Sequence, residues 1–229
     1  MIDSTGKDRL LLRNPAGYRS GFWSTFRSSG QVFCGMSTEE QSYSVKRKEY
    51  KQKRFELALE YTPEGHAVPM AMFDIALWTF NRPFLLMRYR TTNISDSPLE
   101  DLRVYNLMDF DIGGPPSYRD DMARFDPETG IMRIWDEAPL HVELASKPKP
   151  TGWEISPPLK LKVTDTYRDL KNNLELGPRD VAVAVQWNLG TLDKGESKFV
   201  DVVISSGISH EDAEALIPKA WELFSKKMQ

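Results

Sequence analysis

Metal-binding and redox-active side chains are scarce in this sequence: it has one cysteine, Cys34, and three histidines, His66, His141 and His210. A lone cysteine cannot form an intramolecular disulfide. Stapled secreted scaffolds are therefore excluded, and a reducing, cytoplasmic setting is expected. No histidine has a second His, Cys or carboxylate at zinc-ligand spacing, so all three read as surface or packing residues and no metal is expected. Long apolar runs are missing too. The longest, such as Phe84-Leu85-Leu86-Met87, fall far short of a membrane span, and the polar start Met1-Ile2-Asp3-Ser4-Thr5 has no signal-peptide core. The net charge of −3 gives no general attraction to nucleic acid or anionic membrane. Signatures of nucleophilic and nucleotide chemistry are also absent. There is no Gly-x-Ser-x-Gly, and Gly113-Gly114 is followed by two prolines, which lack the backbone donors of a phosphate-cradling loop. Cys34, flanked by Phe33 and Gly35, reads as a buried thiol and not a nucleophile. No cofactor is expected.

What the sequence does have is alternation. An apolar fraction of 40% and a charged fraction of 28% suit a globular chain, and the dominant pattern has period 2, broken by Gly, Pro, Asn and Asp. From Leu102 to Ile112, the residues Leu102, Val104, Met108, Phe110 and Ile112 share one face, interrupted by Asn106. Arg103, Tyr105, Asp109 and Asp111 point the other way, as on a half-buried antiparallel strand. Residues 84–92 form a strand before it, and Asn93-Ile94-Ser95-Asp96-Ser97-Pro98 reads as the loop of a hairpin over 84–112. A second hairpin joins 122–125 to 131–135 through Asp126-Pro127-Glu128-Thr129-Gly130, with Pro127 and Gly130 suiting its turn. Further strands are expected at 20–26, 31–36, 55–61, 71–79, 140–145, 181–188 and 198–205. The prolines of 146–160 mark a loop or irregular edge.

Only the C-terminus is helical. Ser209 caps an acidic first turn, Ala213, Leu216, Ala220 and Phe224 recur at helical spacing, and Pro218 should break or kink the run near Ile217. The expected architecture is all-β: a large two-sheet antiparallel sandwich, one domain over 1–229, with a helical segment at 209–228.

Candidate chemistry gathers in one stretch. Asp109, Asp111, Asp120, Asp121, Asp126 and Glu128 surround Gly113-Gly114-Pro115-Pro116. Such acids could bind a cation or perform acid/base work; the plainer reading puts Asp109 and Asp111 on a solvent face and the rest at turns. Aromatic residues are plentiful, and sugars stack their C–H faces on such rings. Trp78, Trp187 and Trp221 lie in core-patterned segments, whereas Trp135 and Trp153 are candidates for exposure. The candidate ligand set is Asp109, Asp111, Tyr118, Trp135 and Trp153. The basic run from Lys46 to Arg54 reads as a solvated edge strand guarded by lysines, not a nucleic-acid surface.

The order of features over 84–224 adds a resemblance. Thr92-Asn93-Ile94-Ser95-Asp96 precedes a long strand ending Asp109-Phe110-Asp111-Ile112-Gly113-Gly114. Later, Leu192-Asp193-Lys194-Gly195-Glu196-Ser197 turns into Phe199-Val200-Asp201-Val202-Val203-Ile204, and a helix opens at Ser209-His210-Glu211-Asp212-Ala213. This resembles the β-supersandwich domain preceding the catalytic barrel of prokaryotic glucoamylase-type glycoside hydrolases, within the galactose-mutarotase-like group. The resemblance implies a sugar-related or architectural domain and carries over no catalytic residue. The leading expectation is a non-catalytic carbohydrate-related binding protein. The alternatives are a partner-binding or self-associating structural subunit, and a sugar-active epimerase or hydrolase using acids of 109–128.

Overall fold

The computed structural model describes residues 20–36, 42–112, 119–136, 139–161 and 167–227. In chain order its strands are β1 (Gly21–Ser28), β2 (Gln31–Met36), β3 (Tyr43–Lys51), β4 (Arg54–Tyr61), β5 (Ala71–Thr79), β6 (Phe84–Asn93) and β7 (Leu99–Asp109). There follow β8 (Met122–Asp126), β9 (Ile131–Trp135), β10 (His141–Lys147), β11 (Gly152–Ser156), β12 (Glu175–Leu176), β13 (Ala182–Leu192) and β14 (Ser197–Gly207). Two helices close the chain, α1 (His210–Glu214) and α2 (Leu216–Lys227). The strands build two antiparallel sheets: a five-stranded one ordered β11-β13-β7-β1-β2 and a nine-stranded one ordered β12-β8-β9-β10-β14-β6-β5-β4-β3. The fold is thus the expected large two-sheet sandwich with a C-terminal helical segment.

The two sheets share a core. Phe22 and Phe26 of β1, Val104 and Met108 of β7, and Val183, Val185 and Trp187 of β13 meet Phe73, Met87, Met132, Val142, Leu144, Val200 and Val202 of the larger sheet. Each fully buried large apolar side chain contributes about 1.5–3 kcal/mol. Asn106, the one polar interruption on the inner face of β7, is bonded across the sandwich through its amide nitrogen: Nδ2 donates to the Tyr89 hydroxyl of β6 at 2.7 Å. Trp187 Nε1 donates to Ser146 Oγ at 2.9 Å. In both cases a buried polar atom keeps a hydrogen bond, as burial requires.

One expected hairpin is corrected. β6 and β7 do not pair with each other. β6 lies between β14 and β5 in one sheet, and β7 lies between β13 and β1 in the other, so residues 94–98 arch from sheet to sheet. Asn93 makes that arch: its Oδ1 accepts from Ser95 N at 2.9 Å, while its Nδ2 donates to Ser97 O at 2.9 Å and Leu192 O at 3.0 Å. The β13–β14 connection is a second arch, and Gly195 N and Asn93 O, 2.9 Å apart, join the two. Good turn chemistry does not reveal which sheet the next strand enters.

The second hairpin forms as expected, β8 pairing β9 from Met122↔Trp135 to Asp126↔Ile131, with Gly130 at φ +77°. The basic segment is β3, the exposed edge of the larger sheet. The proline-rich stretch contains β11, an edge of the smaller sheet. The helical break falls at Ala215, before Pro218 and not at Ile217. This places Pro218 in the first turn of α2, where its missing N–H has no helical partner to lose. Among the described residues, no helix is long and apolar enough to cross a membrane.

Candidate functional site

The expectation that Tyr105, Asp109 and Asp111 face solvent is overturned. Tyr105 is fully buried, stacked on Trp23 with ring centroids 4.5 Å apart, and its hydroxyl donates to Arg168 O at 2.8 Å. Asp109 and Asp111 are only 1% and 4% exposed. The physical reason is that the smaller sheet is covered on both faces. Leu161 and Leu170 close over Trp23, Tyr105, Leu107, Ala182 and Ala184 on its outer side.

Asp111 belongs to a cluster at one corner of the sandwich, where β7 and β9 end and β8, β10 and β13 begin. Asp121, just before β8, is fully buried. Burial pushes its carboxyl up to about 8, and the negative charges of Asp136, Asp111 and Asp180 add to the rise. Near neutral pH it is therefore largely a neutral acid among carboxylates. The 177–180 segment closes one side: Arg179 N donates to Asp121 O at 3.0 Å, and a Cβ on Gly177 would sit 2.5 Å from that same oxygen. The remaining acids of the stretch play plainer parts. Asp126 caps the β8–β9 turn, accepting from Thr129 Oγ1 at 2.8 Å and Glu128 N at 2.9 Å, bonds that hold its carboxyl below the ordinary range. Glu128 is exposed.

The two candidate tryptophans separate. Trp135 ends β9 beside Asp136, on the outer face of the larger sheet, half-buried with its ring edge-on to His210 at 5.1 Å. Trp153 packs flat on Phe125 at 3.9 Å, toward the inter-sheet core, and its Nε1 donates to Asn173 O at 3.1 Å. Hence Asp111 lies in the acidic cluster around Asp121, Trp135 lies on the outer face of the larger sheet against His210, and Trp153 lies toward the core. Tyr118 lies outside the described residues.

Beside Trp135 sits a group that spacing could not reveal. His141 and His210 lie with ring centroids 4.2 Å apart, and His210 Nδ1 is 2.8 Å from Oε1 of Glu143. Glu143 is fully buried, which drives its carboxyl up to about 8; Arg133 opposes the rise while Glu214 and Glu211 add to it. Burial lowers both histidines, and His141 and Arg133 lower His210 further. The residues involved lie 67 positions apart in sequence. Their only local signal was a His and a Glu two apart on β10. Among the described residues, no group of three or more His, Cys, Asp or Glu side chains is placed to hold a metal ion.

No protein-family model matches the sequence, and no curated protein matches it. Solved structures do. A bacterial glucoamylase complexed with acarbose superposes with TM-score 0.61 at 15% identity, over 86% of this chain and 27% of that one. A GalM/aldose epimerase homologue from C. elegans gives 0.51 at 11% identity over 90% of both chains. A provisionally assigned aldose 1-epimerase from Escherichia coli K12 gives 0.51 at 10% identity, over 86% of this chain and 88% of that one. The fold is therefore a galactose-mutarotase-like β-supersandwich. The chain spans about a quarter of the glucoamylase it matches.

Proposed function

We propose that this chain is a non-catalytic carbohydrate-binding protein, with the corner at Trp135, Asp136 and Asp111 as its recognition site. One observation carries the reading: half-buried Trp135 immediately precedes Asp136, one of the carboxylates around Asp121, on a fold whose structural neighbours are sugar-related. The ring offers a face for sugar C–H groups, and the carboxylates accept hydrogen bonds from hydroxyls. Tryptophan fluorescence and isothermal titration against a panel of mono- and oligosaccharides test it. A saturable response lost in Trp135→Ala is expected; a flat response across the panel overturns the reading.

A second reading, a sugar-active enzyme drawing on the acids of 109–128, is favoured by one feature. Asp121 is a largely neutral acid beside the carboxyl groups of Asp111 and Asp136, the pairing that general acid/base chemistry uses. It requires aldose anomerisation or glycoside hydrolysis by the wild type that falls at least tenfold in both Asp111→Asn and Asp121→Asn. No turnover, or turnover unchanged in the variants, removes it.

A further inference from the structure

α1 and α2 lie against the same outer face of the larger sheet but are attached by different chemistry. α2 seats Ile217, Ala220 and Phe224 on Trp78, Phe84, Leu86, Ile131, Ala145 and Val203. α1 sinks only Ala213; the rest of its attachment is polar. His210 reaches Glu143, and Glu214 lies 3.2 Å from Nη2 of Arg133, whose Nε is 3.4 Å from Glu143. Gly207 permits the close approach, since a Cβ there would meet Ala213 N and Asp212 Cβ at 2.6 Å.

Glu143 projects from the sheet's outer face, where a carboxyl would ordinarily meet water, yet none of its side chain is exposed. The groups around it come from every neighbouring element. β9 contributes Arg133, which is 3.7 Å from Asp126 of β8 on its other side. Asp136 follows β9, β10 itself carries His141, and β14 places Ser205 opposite Glu143. α1 brings His210, Glu211, Asp212 and Glu214. An ionised Glu143 would share one guanidinium with Asp126 and Glu214 and would face the acids of α1.

We infer that α1 is a polar strap, closed over Glu143 and His141 while a proton is held between Glu143 and His210, and released when that proton leaves. The sign follows from linkage. With the strap closed, burial holds Glu143 up to about 8; with it open, the carboxyl returns toward its ordinary range. The closed state thus binds the proton more tightly, and closure is lost as pH rises through about 8. The histidines act in the opposite direction. Their burial lowers them when closed, so closure also weakens as pH falls below about 6.5. Release would bare Trp135 and Glu143. It would also open the cavity of about 360 Å³ walled by Asp212 and Ala215 against Leu140, Gly207 and Lys219.

NMR of the full chain from pH 6.5 to 9.5 tests this, following the carboxyl carbon of Glu143 and the heteronuclear NOEs of amides 210–214 and 217–224. In the wild type the α1 NOEs fall as Glu143 titrates, while those of α2 hold. Glu143→Gln, neutral at every pH, keeps α1 ordered at pH 9. Ala213→Asp frees α1 at neutral pH and moves the Glu143 midpoint down by at least two units. The proposal is overturned if α1 stays ordered through the Glu143 titration, if Glu143→Gln follows the wild type, or if Glu143 keeps its midpoint with α1 free.

Discussion

The two sheets hide their outer faces by different means. Across the middle of the larger sheet lies α2, and the patch beneath it is apolar: Trp78, Leu86, Ala145 and Val203. Across the smaller sheet lies the irregular stretch 167–173, and the sheet there offers polar partners. Gln186 Oε1 accepts from Leu170 N at 3.0 Å, and its Nε2 donates to Asp169 at 2.7 Å. Fully buried Glu154 holds Arg168 at 2.8 Å and Lys171 at 2.7 Å. The side chains of Asn172 and Asn173 bond the backbone of Trp153 and Ile155, extending the sheet beyond β11 with amide groups. The difference has one cause. A helix satisfies its own backbone, so its seat can be apolar, whereas an irregular cover brings bare N–H and C=O groups that the sheet must pair. α1 lies between the two cases. At five residues it is mostly helix ends, and its seat is accordingly polar.

The comparison can be broken in three places. The largest effect is expected at Phe224, buried against Trp78 at 5.5 Å. Phe224→Ala should cost about 3 kcal/mol in chemical denaturation, through lost burial and the cavity left behind. Gln186→Leu should cost about 2 kcal/mol by orphaning the Leu170 N–H under cover, and hydrogen exchange should rise across 167–173 but not in α2. An equal loss of protection in both covers would show that they are not independent.

A pH-dependent effect belongs to the corner between the faces. Asp121, raised to about 8 in the native state from 3.8, keeps its proton on folding where the unfolded chain loses it. Native protein therefore binds more protons between those values, and stability falls as pH rises through that window. Asp121→Asn removes this dependence. It should leave stability unchanged at pH 3.5 and raise it at pH 8.5, read as the difference in denaturation midpoints.

Much of the fold was legible. The bounds of β2 and β5 follow directly from apolar alternation between turn residues, and Pro127 and Gly130 identified the β8–β9 hairpin. The lysine-rich run declared β3 an edge, because inward burial of those charges has no compensation. The candidate site was legible only in part. Asp111 and Trp135 were marked by composition, whereas Trp153 turned toward the core because Phe125 offered it a flat partner. His141 and His210 stayed invisible, since neither has a local neighbour that explains it; α1 alone brings them together.

The sequence by itself determined that β7 has two faces, one apolar and one mixed, and that Asn93 turns the chain after β6. Only the tertiary structure decided that this turn crosses between sheets, that the mixed face of β7 is roofed by residues far along the chain, and that Glu143 lies beneath a helix. The reason is physical. Alternation and turn preference are set by neighbours within a few residues, but what covers a face, and hence whether a carboxyl meets water or is driven to hold its proton, depends on segments that meet only when the sandwich closes.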